Sequence, residues 1–151
     1  MIAKLKAAFS GTAAPLKTGV EDKKIATAAL LIEAALSDEE YSDTERTTIS
    51  VILKRHFSLS DTDVSTLMEE AESVHSNTDQ ILAFTRSIKE NFDIEDRVQV
   101  IEMLWEIAYA DGELSDYEAN LVRRICGLIY VSDRDSGMAR KRVLQMIGTP
   151  K

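Results

Sequence analysis

Asp38-Glu39-Glu40-Tyr41-Ser42-Asp43-Thr44-Glu45 returns later in the chain as Asp111-Gly112-Glu113-Leu114-Ser115-Asp116-Tyr117-Glu118. Both stretches have the form Asp-x-Glu-x-Ser-Asp-x-Glu, and the shift between them is constant (111 − 38 = 73, 118 − 45 = 73). The same shift pairs Ile32 with Trp105, Glu33 with Glu106 and Ala35 with Ala108 on the upstream side. Downstream it pairs Ile49 with Val122, Ile52 with Ile125 and Phe57 with Tyr130. After one deletion, Leu59-Ser60-Asp61-Thr62-Asp63 matches Val131-Ser132-Asp133-Arg134-Asp135. A match of this length is read as an internal duplication, with one copy over about 22–72, a second over about 93–147, and a bridging segment over about 73–92.

Each copy reads as helices. From about Asp22 to Leu36 the chain is apolar on nearly every side, as expected of a buried central helix. The corresponding stretch from Asp93 to about Ala110 carries Val98, Ile101, Leu104, Trp105 and Ala108. Ser42-Asp43-Thr44-Glu45 and Ser115-Asp116-Tyr117-Glu118 are capping boxes, in which the serine hydroxyl and the glutamate carboxylate each take one orphan N–H of a helix start. Further starts stand at Ser60-Asp61-Thr62-Asp63, Ser76-Asn77-Thr78-Asp79 and Ser132-Asp133-Arg134-Asp135. Residues 1–10 carry Ile2, Leu5 and Phe9 at helical spacing. No segment alternates as a strand does. The expected fold is therefore all-α, a single bundle of about seven to eight helices over residues 1–151 with a pseudo-two-fold duplication. The two apolar helices are expected to pack on each other, with Ile32 and Trp105 in equivalent buried positions.

Composition narrows the function classes. Eighteen basic against twenty-six acidic residues give a net charge of −8 at pH 7, a field that repels phosphate backbones and argues against nucleic acid as partner. The lone cysteine, Cys126, lies in an apolar run and reads as a core residue in a reducing compartment. His56 and His75 are not at zinc-ligand spacing from each other or from it. With no signal-peptide core at the N-terminus and no bilayer-length apolar stretch, the expected location is the cytoplasm.

The acidic loops admit two readings. Carboxylates at alternating positions followed by a glutamate one turn into a helix suit a hard cation, with Ca²⁺, Mg²⁺ or Mn²⁺ ahead of Zn²⁺. They do not form an EF-hand. Counting Asp111 as the first position, the twelfth is Val122, where the calcium loop needs a bidentate glutamate. Alternatively, the same acids are helix caps that complement the helix dipoles. Glu33 adds a carboxylate on a face of small apolar residues with Ala26, Ala29 and Leu30, where a partner, a proton or a metal is required. Glu106 shares its face with Gln99 and Glu102 and reads as solvated.

Ile107-Ala108-Tyr109-Ala110-Asp111-Gly112-Glu113-Leu114-Ser115-Asp116-Tyr117-Glu118 resembles the hallmark segment of the tellurite-resistance TerB-like proteins, an alanine-rich helix running through Asp-Gly to a helix-starting acid. Ala34 to Glu45 is similar to the same element, and the resemblance covers about residues 20–147. It implies an all-helical pseudo-symmetric domain, also found at the front of a membrane-linked J-domain co-chaperone. It further implies an acidic patch proposed to bind divalent metal, an association with tellurite and other chemical stress, and no catalytic activity. Carried over by position, the candidate ligands are Asp38, Glu40 and Glu45 from the first copy and Asp111, Glu113 and Glu118 from the second, with Glu33 and Glu106 behind them. Glu39 departs from the pattern because it stands where the second copy has Gly112; a positive φ at that turn suits glycine only.

The leading expectation is a non-catalytic module that binds a divalent cation at paired acidic loops and presents helical surface to a protein partner. A purely structural interaction domain whose acids are caps is the second. A carboxylate–metal hydrolase is the third, and no nucleophile pair, histidine or phosphate loop accompanies the acids to support it.

Overall fold

The computed structural model describes residues 20–36, 42–73, 80–110 and 114–148. Among them are seven helices and no strand: α1 (Val20–Leu36), α2 (Asp43–Phe57), α3 (Asp61–Ser73), α4 (Gln80–Asn91), α5 (Ile94–Ala108), α6 (Asp116–Ile129) and α7 (Asp133–Met146). The all-α bundle expected from the sequence is the fold. The expected helix at 1–10 and the helix start at Ser76–Asp79 lie outside the described residues.

Serine and aspartate caps set the starts. Ser42 Oγ accepts from the Glu45 N–H at 3.3 Å while Glu45 Oε1 accepts from the Ser42 N–H at 3.2 Å. At α6 the Glu118 N–H donates to Ser115 Oγ at 3.0 Å, and the Ser115 N–H donates to Glu118 Oε1 at 3.2 Å. Both predicted capping boxes are thus formed. Ser60, Asp93 and Ser132 cap α3, α5 and α7 by the same N-cap to N3 bond. The stops are less conventional. α2 and α6 end at Ser58 and Tyr130 in the left-handed region, φ 54° and 61°, rather than at glycine. The next N–H groups, those of Leu59 and Val131, donate back to the carbonyls of Lys54 and Cys126.

Every residue from Ile25 to Ala35 is buried, so α1 is the central helix its all-round apolarity requires. One apolar cluster joins it to side chains from all six other helices, including Ile49, Met68, Phe84, Ile101, Ile125 and Val143. Ile32 and Trp105 are both buried, as expected. The packing of the two central helices differs from expectation. α1 lies closest to α4 and α3, and α5 closest to α7 and α6, while α1 and α5 approach each other over a smaller stretch. The bridging helix α4 accounts for this. It buries Phe84 and Ile88 and packs on both α1 and α6, taking up apolar surface that the central helices were expected to share.

Candidate cation site

Two helices finish and two begin at one end of the bundle. Ala34 and Ala35 from the end of α1, Leu104, Ile107 and Ala108 from the end of α5, and Tyr117, Leu121 and Val122 from α6 line a cleft there. Glu45 and Glu118 line the same cleft. An adjoining hollow is bounded by Thr44, Glu45, Thr48, Ile107, Ala110 and Glu118. The fold therefore brings one glutamate from each acidic repeat to a shared opening, although the two are 73 positions apart (118 − 45 = 73). Their capping boxes hold them there, because each carboxylate is tied to the backbone of its own helix start.

Helix electrostatics favour positive charge at this end. The last turns of α1 and α5 contain no Lys, Arg or His, so the partial negative charge of those C-termini is not offset from within the helix. The first turns of α2 and α6 add Asp43, Glu45, Asp116 and Glu118. The cleft and hollow enclose about 30 and 100 Å³, space for a small ion or one side chain. Cofactor pockets typically run from roughly 300 Å³ upward.

The other candidate ligands are distributed differently. Asp38, Glu40, Asp111 and Glu113 lie outside the described residues, as do Glu39 and Gly112. Among the described residues no three His, Cys, Asp or Glu side chains group as metal ligands. Glu33 is buried on α1, one residue before the cleft-lining Ala34. Glu106 is a correction to the sequence reading: it is 6% exposed, not solvated. Arg55 Nη2 donates to its Oε1, and His56 Nε2 lies 2.7 Å from its Oε2. Gln99 Nε2 is 2.9 Å from His56 Nδ1, so the residue thought to mark a wet face belongs to this buried network. The signal for it was present only in three dimensions, since Arg55 and His56 precede Glu106 by 51 and 50 residues.

Cys126 is buried, and burial pushes its thiol up from the ordinary value against a smaller lowering by a hydrogen bond to Ser136. A thiol so placed is a poor nucleophile at neutral pH and fits the core role read from the sequence. A surface hollow of about 760 Å³ runs along α7 past Arg134, Met138, Arg140 and Lys141 and shares none of its described lining residues with the acidic cleft.

A family model described as Tellurite resistance protein TerB matches residues 24–141, spanning α1 through most of α7. The chain belongs to the TerB family. No curated protein and no solved structure matches it. The TerB match includes both acidic repeats and the bridging helix between them, so the cleft is built wholly from TerB residues. No described helix of this TerB chain is long and apolar enough to cross a membrane.

Proposed function

We propose that this TerB chain is a non-catalytic module that binds a divalent cation at its paired acidic loops, and that it offers its helical surface to a protein partner in the cytoplasm, in tellurite or related chemical stress. One observation carries the reading: Glu45 and Glu118, the equivalent glutamates of the two repeats, line the same cleft. An all-oxygen donor set fits Ca²⁺, Mg²⁺ or Mn²⁺ better than Zn²⁺. Glu45 and Glu118 would hold the ion together with acids drawn from Asp38, Glu40, Asp111 and Glu113. The ion would supply charge neutralisation at an end of the bundle where acids and helix C-termini accumulate.

An ion that binds only the folded chain raises stability by about 2.7 kcal/mol at a hundredfold excess over Kd. For a domain of this size that is roughly 5–10 °C in melting temperature. The test is thermal unfolding in chelator and then in excess Ca²⁺, Mg²⁺ or Mn²⁺, on the wild type, Asp111→Asn and the double variant Glu45→Gln/Glu118→Gln. Glutamine can still complete a capping box, so the double variant isolates the charge. The rise should occur in the wild type and be mostly absent from both variants. A wild type that melts at one temperature under all these conditions defeats the cation reading. The second reading, an interaction domain whose glutamates serve as caps, would then stand on the two capping boxes already described.

A further inference from the structure

The outer face of α7 is basic and apolar in an acidic chain. Arg134, Gly137, Met138, Lys141 and Leu144 follow one another at helical spacing and line the hollow of about 760 Å³. Met138 is 48% exposed and Leu144 is half-buried. We infer that this face docks an acidic amphipathic helix of a partner protein. Carboxylates of that helix pair with Arg134 and Lys141, and its apolar side chains cover Met138 and Leu144 across the notch left by Gly137. The inference rests on the partner-binding half of the proposed function, to which it adds a face and a chemistry, and it makes no use of the cation.

The other half of the sequence repeat shows that the fold does not require such a face. The match of Asp61 to Asp133 sets α3 in register with α7 at a shift of 72 (133 − 61 = 72). Both helices bury the matched positions Val64 and Ser136, Leu67 and Ala139, Ala71 and Val143. The α3 positions that match Arg134, Gly137, Met138 and Lys141 are Thr62, Ser65, Thr66 and Glu69, all polar and exposed, as on an ordinary solvated helix face. Gly137 stands inside α7, where glycine weakens a helix, yet a Cβ there would meet nothing within 4 Å. Packing within the chain therefore does not call for it.

Charge selects the occupant. Among the described residues Arg134 and Lys141 stand in no ion pair, whereas Arg142 pairs with Glu102 and Arg140 is held against Trp105 and Tyr109. Asp133, at the start of the helix, is the one acid among the described lining residues. Arg134 and Lys141 are two turns apart (141 − 134 = 7), about 10.5 Å along the axis, which matches acids two turns apart on a helix lying alongside. Residues 1–19 contain Lys4, Lys6 and Lys17 and no acid, so like charge argues against them as the occupant. At about 0.15 M salt, exposed charges more than about 8 Å apart are largely screened, so the two nearby cations outweigh the net charge of −8 for a docked acid.

The test is a backbone amide NMR titration of the full chain, at about 0.15 M salt, with an alanine-based helical peptide. The peptide bears two glutamates two turns apart with a pair of leucines between them. Control peptides carry lysines in place of the glutamates, or glutamines in place of the leucines. The glutamate–leucine peptide should bind at least about fivefold more tightly than either control, with shifts at Gly137, Met138, Lys141 and Gln145. Arg134→Gln/Lys141→Gln should erase the preference for glutamate over lysine. Gly137→Glu fits the open space at that position and should abolish binding while the melting temperature holds or rises. Equal binding of the glutamate and lysine peptides, or binding that Gly137→Glu leaves intact, would overturn the inference. So would phosphatidylglycerol vesicles that move these amides when the peptide does not, which would make the face a membrane contact. Peptide shifts confined to another face would remove α7 and leave the partner reading in place, and a flat metal melt would bear on the cation alone.

Discussion

Glu106 shows what a single residue can hide from a sequence reading. Its helical neighbours Gln99 and Glu102 made its face look wet, yet the carboxylate is buried against Arg55 and His56 from the end of α2. Removing one member of a buried charged network leaves the others unpaired, which typically costs 3–5 kcal/mol. Arg55 is half in water, and that screening lowers the expectation. We predict that Glu106→Gln destabilises the chain by about 2–3 kcal/mol in urea unfolding; a loss below about 1 kcal/mol would show that the network contributes no more than a surface pair. Ser58 poses the opposite case. It is exposed and sits at φ 54°, a conformation that costs an L-residue roughly 1–2 kcal/mol. Glycine there relieves the strain but adds freedom to the unfolded chain, worth about 0.5–1 kcal/mol in the other direction. Ser58→Gly should therefore stabilise by about 0.5 kcal/mol, seen as a higher urea midpoint with an unchanged slope.

At the scale of elements, helix identity and the ends at Leu36 and Phe57 were legible, whereas the conformation of the C-caps was not. The capping boxes placed the starts of α2 and α6 because their chemistry is local, serine and glutamate three residues apart. The C-caps at Ser58 and Tyr130 carried no such mark, because the left-handed position that glycine normally signals is filled by other residues. Interactions from outside α6 support its unusual end: Arg97 Nη1 donates to the carbonyls of Ile129 and Tyr130, and Lys89 lies over the Tyr130 ring. The α5–α7 contact rests on Trp105. Its Nε1–H donates to Ser136 Oγ at 3.1 Å, and Arg140 stacks over both Trp105 and Tyr109 while donating to the Tyr109 hydroxyl. Pairing Trp105 with Ile32 through the repeat was enough to place it in the core; its hydrogen bond to Ser136 was not readable from spacing. Trp105→Ala should cost about 3–5 kcal/mol, the range for large aromatic truncations in cores. An unfolding free energy reduced by less than about 1 kcal/mol would show that the ring is peripheral to the fold.

At the scale of the molecule, the repeat says more about the site than about the packing. Positions 73 apart come together at two places: Lys23 Nζ donates to Asp96 Oδ2 at 3.0 Å between α1 and α5, and Glu45 and Glu118 share the cleft. These two proximities follow from how the helix ends are arranged in this bundle. The role of α4 could not be read the same way, because the bridging segment has no counterpart in the repeat. Its face is amphipathic in the ordinary manner, and only the packing reveals that it serves α1 and α6 at once. If α4 joins the two halves of one core, damage to it should be felt by both. Ile88 is fully buried on α4, so Ile88→Ala should lower stability by about 2–5 kcal/mol. Trp105 sits in the second half, whereas helix content reports on both halves. Tryptophan fluorescence and far-ultraviolet circular dichroism should therefore move together to the new, lower urea midpoint as a single transition. If fluorescence instead kept its wild-type midpoint while part of the helical signal was lost earlier, the halves would be separate cooperative units, and the acidic cleft between them would lie across a boundary able to open on its own.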